Sequence, residues 1–192
     1  MEPPIPLTTM TVSDSEPAVP VEADAEMTTT VEAEVVEFAL GDERCAMDID
    51  SVDSIVETKQ ITRVPRAPDA VDGVMDLRGE TTAVVDPKEF LAVGEGGEEE
   101  NILVLDRDDD KQKIGIRVDE VTEVTTYPPE QVDRNGDLQG IRTSAIEAEL
   151  VKGVLRKHVG EVDEDGIPED VHLVLWLDIE ALIAAVRDEE EA

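Results

Sequence analysis

Val74-Met75-Asp76-Leu77-Arg78-Gly79-Glu80-Thr81-Thr82-Ala83-Val84-Val85-Asp86 runs as two apolar arms around a charged tip. Ala83, Val84 and Val85 read as a buried strand. Arg78 stands between Leu77 and Gly79 where that strand pair turns, and the glycine lets the chain reverse tightly so that the guanidinium projects outward. Asp86-Pro87-Lys88-Glu89 then sets an Asp at an N-cap, a Pro at the first helical position and a Glu at the third. That order predicts a short helix from Pro87 to Val93, ended by Gly94.

The same short units recur on both sides. Upstream, Val36, Phe38 and Leu40 alternate with Glu37 and Ala39, which predicts a half-buried strand. Gly41-Asp42-Glu43 turns it into a second strand, Arg44 to Ile49. Asp50 reads as the cap of a short helix with Val52, Ile55 and Val56 on one face. Thr62 to Pro68 holds two prolines and reads as an irregular or edge segment. Downstream, strands are expected at Ile102–Leu105, Ile114–Val118, Val121–Thr126, Val151–Leu155 and Val171–Leu177, with an acidic loop from His158 to Asp170. Pro128 to Ala148 reads mostly as loop, with Asn135-Gly136 marking a turn. Asp178 caps a final helix with Ile179, Leu182, Ile183 and Val186 on one face. Nine or ten short strands against two or three short helices predict a mainly β chain, as a small barrel or sandwich or a pair of them.

Residues 1–34 differ in kind: eight acids, no bases and five prolines, with no apolar period. They read as a disordered acidic arm ahead of a folded domain at 35–192. Over the whole chain 49 acids face 16 bases, a net charge of −33 in 192 residues. The acids are spread rather than gathered in a tail, so the composition points to a cytoplasm of very high salt, where screening removes the self-repulsion. The plainer alternative is an ordinary acidic protein. This charge speaks against nucleic acid and anionic membrane surfaces as partners. No signal peptide and no apolar run of spanning length is visible, so a cytoplasmic protein is expected.

Catalytic signatures are weak. His158 and His172 fall on a loop edge and a strand, no serine sits in a nucleophile elbow, and the lone Cys45 offers neither a disulfide nor a Cys-based zinc site. Gly94-Glu95-Gly96-Gly97 leads into glutamates, so it reads as linker and not as a phosphate cradle. Asp106, Asp108 and Asp110 have calcium-loop spacing, but Lys111 and Arg117 stand where glycine and glutamate are needed. Asp133-Asn135-Asp137 fails in the same way at Leu138. No catalytic residue, metal site or cofactor is assigned. A metal-dependent hydrolase using clustered acids remains as an alternative.

The segment from Val74 to Asp86 resembles the hallmark of the CheW family of chemotaxis coupling proteins, an Asn-Leu-Arg-Gly tip followed by a Pro-Val-Val-Asp strand. Asp76 stands for the Asn and Ala83 for the Pro. Phe38 to Ile49 is similar to the family's opening hairpin, with Cys45 where an aromatic is usual. Ile61 to Pro68 is similar to its Ile-Thr-x-Val-Pro-x-x-Pro segment, and Gly115 to Val121 to its Gly-x-x-Val-Asp-x-Val strand. The resemblance spans roughly Val35 to Val186. It implies two intertwined five-stranded SH3-like β-barrels with short helices and no enzymatic activity. It implies an adaptor that joins the cytoplasmic tip of membrane chemoreceptors to the CheW-like regulatory domain of the histidine kinase CheA. It places receptor contact at Arg78 and Val52, with Leu77 beside the arginine. Ser54 stands where the family often has a glutamate partner for that arginine, with Asp53 next to it. The kinase-contact residues are left unassigned. Coupling to a different kinase pathway is the alternative within this class.

Overall fold

Strand β1 (Ala33–Leu40) is buried on both faces: Val36, Phe38 and Leu40 on one side, Ala33, Val35 and Glu37 on the other. The expected half-buried strand is therefore a central one, and it begins two residues earlier than the pattern suggested. A computed structural model of the chain describes residues 32–91, 93, 94, 97, 100–107, 112–134 and 148–191. The expected arm lies outside these residues except at its last few positions, as do the Asn135-Gly136 turn and most of both calcium-like runs.

Among the described residues the strands form two sheets. β2 (Glu43–Asp48) pairs antiparallel with β1, and β8 (Glu120–Tyr127) pairs with β1's other edge. β11 (Pro168–Leu177) lies parallel to β2 and carries β10 (Val151–Val162) and then the two-residue β9 (Val132–Asp133). The second sheet runs β3 (Val52–Glu57), β6 (Asn101–Leu105), β7 (Lys113–Val118), β5 (Glu80–Val85), β4 (Val71–Leu77). Its β5–β7 pair is parallel. The first two described strands lie in the first sheet, the next five build the second, and the remainder finish the first, so the two are intertwined. The first sheet has six strands where five were expected, because the short β9 is added at its edge.

Three apolar clusters explain this arrangement. One draws Val36, Phe38 and Leu175 from the first sheet, Val85, Leu103 and Ile116 from the second, and Ile179, Leu182, Ile183 and Val186 from helix α1 (Ile179–Glu191). It lies between the sheets, and α1 covers it with the face the sequence predicted. A second cluster takes residues from all six strands of the first sheet, among them Val35, Ala46, Tyr127, Val132, Leu155 and Trp176. Six strands can each reach one small cluster only if the sheet curls around it. The third cluster, Met75, Val84, Ile102 and Val104 with Val56, Ile61 and Leu77 packed against it, draws on β3, β4, β5 and β6 of the second sheet.

Two helices expected upstream are corrected. Ile49–Ser51 is a single 3-10 turn, and Val52, Ile55 and Val56 form β3. Their branched Cβ atoms suit a pleated surface, and pairing with β6 supplies backbone bonds that an isolated turn of helix lacks. Asp86 does cap, accepting from Lys88 N at 2.9 Å, but only one 3-10 turn, Pro87–Glu89, follows. Leu91 is fully buried in the central cluster and draws the chain inward there. The expected loop from His158 to Asp170 is instead mostly strand, because β10 and β11 extend into a long hairpin. Asp163 folds its tip, accepting from Asp165 N and Ile167 N at 3.0 and 2.8 Å.

Candidate functional site

The β4–β5 hairpin closes at the Leu77–Glu80 pair, leaving a two-residue loop of Arg78 and Gly79. Both residues have positive φ, 55° and 87°. Such a turn matches strand twist and favours Asn-Gly or Gly-Gly. An arginine at its first position costs roughly 1–2 kcal/mol of backbone strain. Asp76 Oδ1 offsets part of that by accepting from Gly79 N at 3.0 Å. The sequence indicated Gly79 as the turn residue; that Arg78 itself is left-handed was not legible. Arg78 is exposed, and among the described residues it makes no ion pair.

Beneath the hairpin tip lies a groove of about 190 Å³. Its apolar lining is Val56, Leu77 and Val104, its cations are Lys59, Arg78 and Lys113, and Asp53, Ser54 and Glu80 complete it. Topology assembles it from distant segments: β3 pairs with β6, which sets Ser54 opposite Val104, and the parallel β5–β7 pair sets Lys113 opposite Thr82. Three of the four residues expected at the receptor surface, Arg78, Leu77 and Ser54, thus line one groove. Val52 does not line it: the register shifts between Val52 and Ser54, and Val52 packs against the central cluster. Lys59 and Lys113 are residues the sequence reading missed. Lys113 reaches the groove through parallel pairing with Thr82, far back along the chain, a contact without a local signal. The position of Lys59 just past β3 and the scarcity of bases gave the only hint.

The charges here differ from those elsewhere in the fold. Lys113 Nζ lies 3.5 Å from Asp53 Oδ2 and 3.7 Å from Glu80 Oε2, all three side chains being well exposed. Ser54 Oγ donates to Asp53 Oδ2 at 3.4 Å. By contrast, Glu37 is 2% exposed within the first sheet, accepting from Tyr127 Oη at 2.5 Å and from Lys157 Nζ at 2.7 Å. Lys157 also bonds Glu123. Burial and the Glu37 carboxylate push the Tyr127 phenol well above its ordinary range. Burial disfavours the Lys157 ammonium, but its bonds to Glu123 and Glu37 prevail and raise its pKa. Arg117 is fixed between Asp72, at 2.5 Å, and Glu100. Asp119 bonds Lys88 and accepts from Gly41 N at 2.6 Å, tying the β1–β2 and β7–β8 turns together.

The residues with nucleophilic or ligating chemistry are not gathered. Cys45 is fully buried in the central cluster, and burial pushes its thiol far up, so it is held as an inert thiol. His158 lies 3.2 Å from Gln131 Nε2 on an exposed strand, and His172 pairs with Asp170 at 3.3 Å. Among the described residues no helix is long and apolar enough to cross a membrane, and no group of three or more His, Cys, Asp or Glu is placed to hold a metal ion.

The CheW-like domain family matches residues 34–187. The chain is 27% identical over 161 residues to a chemotaxis protein CheW of Thermotoga maritima, covering 83% of this chain and 93% of that one. It is 33% identical over 103 residues to a chemotaxis protein CheW of Klebsiella aerogenes, covering 54% of this chain and 62% of that protein. The fold is similar to the crystal structure of scaffolding protein TtCheW from Thermoanaerobacter tengcongensis, with a TM-score of 0.62 and 23% identity over 79% of this chain and 88% of that one.

Proposed function

The chain belongs to the CheW-like domain family, and from that membership we propose that it is a chemotaxis adaptor, coupling chemoreceptors to the histidine kinase CheA by binding without catalysis. Family membership does not favour the metal-hydrolase alternative. The observation that carries the site assignment is Arg78, exposed on a strained two-residue turn above a groove with an apolar lining. Val56, Leu77 and Val104 supply apolar contact for the receptor's cytoplasmic tip, and Arg78 orients it by charge-assisted hydrogen bonds. Val52 then acts from behind, through the packing of β3 on the central cluster, with Ser54 in the groove itself. Kinase docking uses another surface, facing the CheW-like regulatory domain of CheA. The adaptor works in the cytoplasm, drawn to receptor arrays at the membrane's inner face, with residues 1–31 as a solvated arm ahead of β1.

Arg78→Ala tests this. An exposed side chain contributes little to folding, so the change should alter stability by less than about 0.5 kcal/mol. Receptor affinity should fall by about 1–3 kcal/mol, the range for charged hydrogen bonds, with kinase affinity much less affected. Equal loss of both affinities in step with lost stability would reject the assignment. Co-purification with receptor fragments separates CheA coupling from service to a different kinase pathway.

The net charge of −33 supports a salt-rich cytoplasm, as in a haloarchaeal host. At about 1 M salt the Debye length is near 3 Å, and repulsion between separated surface acids is screened. Folding should be cooperative in multimolar potassium chloride and fail in dilute buffer, followed by circular dichroism. Equal thermal stability at both ends would reject the saline host.

A further inference from the structure

We infer that the groove beside the β4–β5 hairpin takes a carboxylate of the docked receptor onto Arg78 and Lys59, and that Lys113 is a positioning residue that keeps the groove's own carboxylates off Arg78. This rests on the receptor-docking reading and extends it to the chemistry of what docks.

The starting point is an arginine that makes no ion pair with a described residue, in a chain where acids outnumber bases 49 to 16. Exposed Arg63 and Arg66 also make no ion pair among the described residues, so what sets Arg78 apart is that the carboxylates sharing its turn and its groove are engaged elsewhere. Two devices do this. The turn uses Asp76, whose Oδ1 is committed to Gly79 N at 3.0 Å. Lys113 uses Asp53 and Glu80, both lining the groove, at 3.5 and 3.7 Å. One ammonium serves two rim carboxylates, and neither Arg78 nor Lys59 makes an ion pair with a described residue. The groove's three cations and two acids sum to +1, the reverse of the chain's −33. Charge complementarity thus selects a carboxylate-bearing segment as the occupant. Lys59 also lines the adjoining groove along β4, of about 500 Å³, together with Asp76, so the excess of positive charge is confined to the groove beneath the hairpin tip.

The test compares the full-length wild type with Arg78→Ala, Lys113→Gln, Lys113→Arg and the triple change Lys113→Gln, Asp53→Asn, Glu80→Gln. Each is titrated at one fixed salt with a cognate chemoreceptor cytoplasmic fragment and with the kinase regulatory domain. Lys113→Gln should weaken receptor binding about 2–5-fold, the scale of an exposed ion pair. Lys113→Arg should keep it, the triple variant should regain it, and kinase affinity should not move. A receptor fragment with its tip glutamates changed to glutamine should bind wild type and Arg78→Ala alike. If Arg78→Ala weakens receptor binding but Lys113→Gln does not, the role of Lys113 is overturned while the docking reading stands. No loss with Arg78→Ala overturns both. A Lys113→Gln loss that the triple variant fails to restore makes Lys113 a direct contact and overturns the positioning role. Continued discrimination by the glutamine fragment overturns carboxylate recognition, and an equal loss of kinase affinity overturns the receptor as occupant.

Discussion

In the first sheet Glu37 is 2% exposed with a tyrosine and a lysine on its two oxygens, whereas in the second Arg78 stands exposed on a turn that strains its backbone. Glu37 lies within a strand and Arg78 on the turn between two, and each belongs to an antiparallel hairpin. Their surroundings differ. Each oxygen of Glu37 has a partner from within the fold, Tyr127 of β8 and Lys157 of β10, so its charge ties β1 to both strands. Arg78 makes no ion pair with a described residue, and its backbone is left-handed at the turn that presents it. A buried charge with all its partners is part of the scaffold; an exposed charge denied partners is available to something else. The comparison predicts that stability and binding separate cleanly between the two sheets.

The largest effect belongs to the first sheet. Lys157→Met leaves the Glu37 carboxylate buried with only the Tyr127 hydroxyl, and that should cost about 2–3 kcal/mol, somewhat under the range for a fully buried pair because Lys157 reaches solvent. For a domain of this size the melting temperature should fall by about 5–10 °C in calorimetry. Adding Glu37→Gln should recover part of it, since a neutral amide is cheaper to bury than a carboxylate. Receptor and kinase affinities of the folded fraction should be unchanged. A Lys157→Met protein as stable as wild type would mean that Glu37 is solvated, and the contrast between the sheets would fail.

Arg78→Gly should move stability the other way. Glycine adopts left-handed φ without steric cost, so removing the arginine's strain should stabilise the fold by about 1 kcal/mol while receptor affinity falls as far as with alanine. A gain in melting temperature together with a loss of binding cannot come from a structural arginine. If instead stability falls, Arg78 is held by contacts that outweigh its strain, and it belongs with Glu37 among scaffold charges.

These two sites were unequally legible in the sequence. The alternation at Val36, Phe38 and Leu40 gave β1, and the spacing of Ile179, Leu182, Ile183 and Val186 gave the face of α1, because each pattern is local. Burial of β1's second face was hidden, since Glu37 reads as a solvent residue until Tyr127 and Lys157, from strands far along the chain, are brought to it. Asp50 and Asp86 misled for a related reason. A cap signals where a helix can start, while β6 pairing and the burial of Leu91 decide whether it continues. At the groove, the motif around Arg78 identified the tip, but Lys59 and Lys113 carry no motif. They enter through parallel pairing and sheet curvature, which a one-dimensional pattern does not encode.

The smallest effect is expected where the first sheet begins. Residues 1–31 carry six acids and no base, and no apolar period gives them a face to bury. β1 starts at Ala33, which is 3% exposed and paired with Tyr127, and Val35 beside it is fully buried. Deleting residues 1–31 should therefore leave the melting temperature within about 1 °C and leave both affinities as they are, because surface changes away from packed features stay within about 0.5 kcal/mol. Deleting through Val36 removes Ala33, Val35 and Val36 from two clusters and should lose several kcal/mol or prevent folding, since each buried aliphatic contributes about 1–3 kcal/mol. The step between the two truncations locates the edge of the scaffold to within a few residues. A shorter deletion that already destabilises the chain would show that the arm packs on the first sheet. A shorter deletion that changes only receptor affinity, with the melting temperature unmoved, would show the arm acting on binding, and the separation of stability from binding would then no longer follow the division between the sheets.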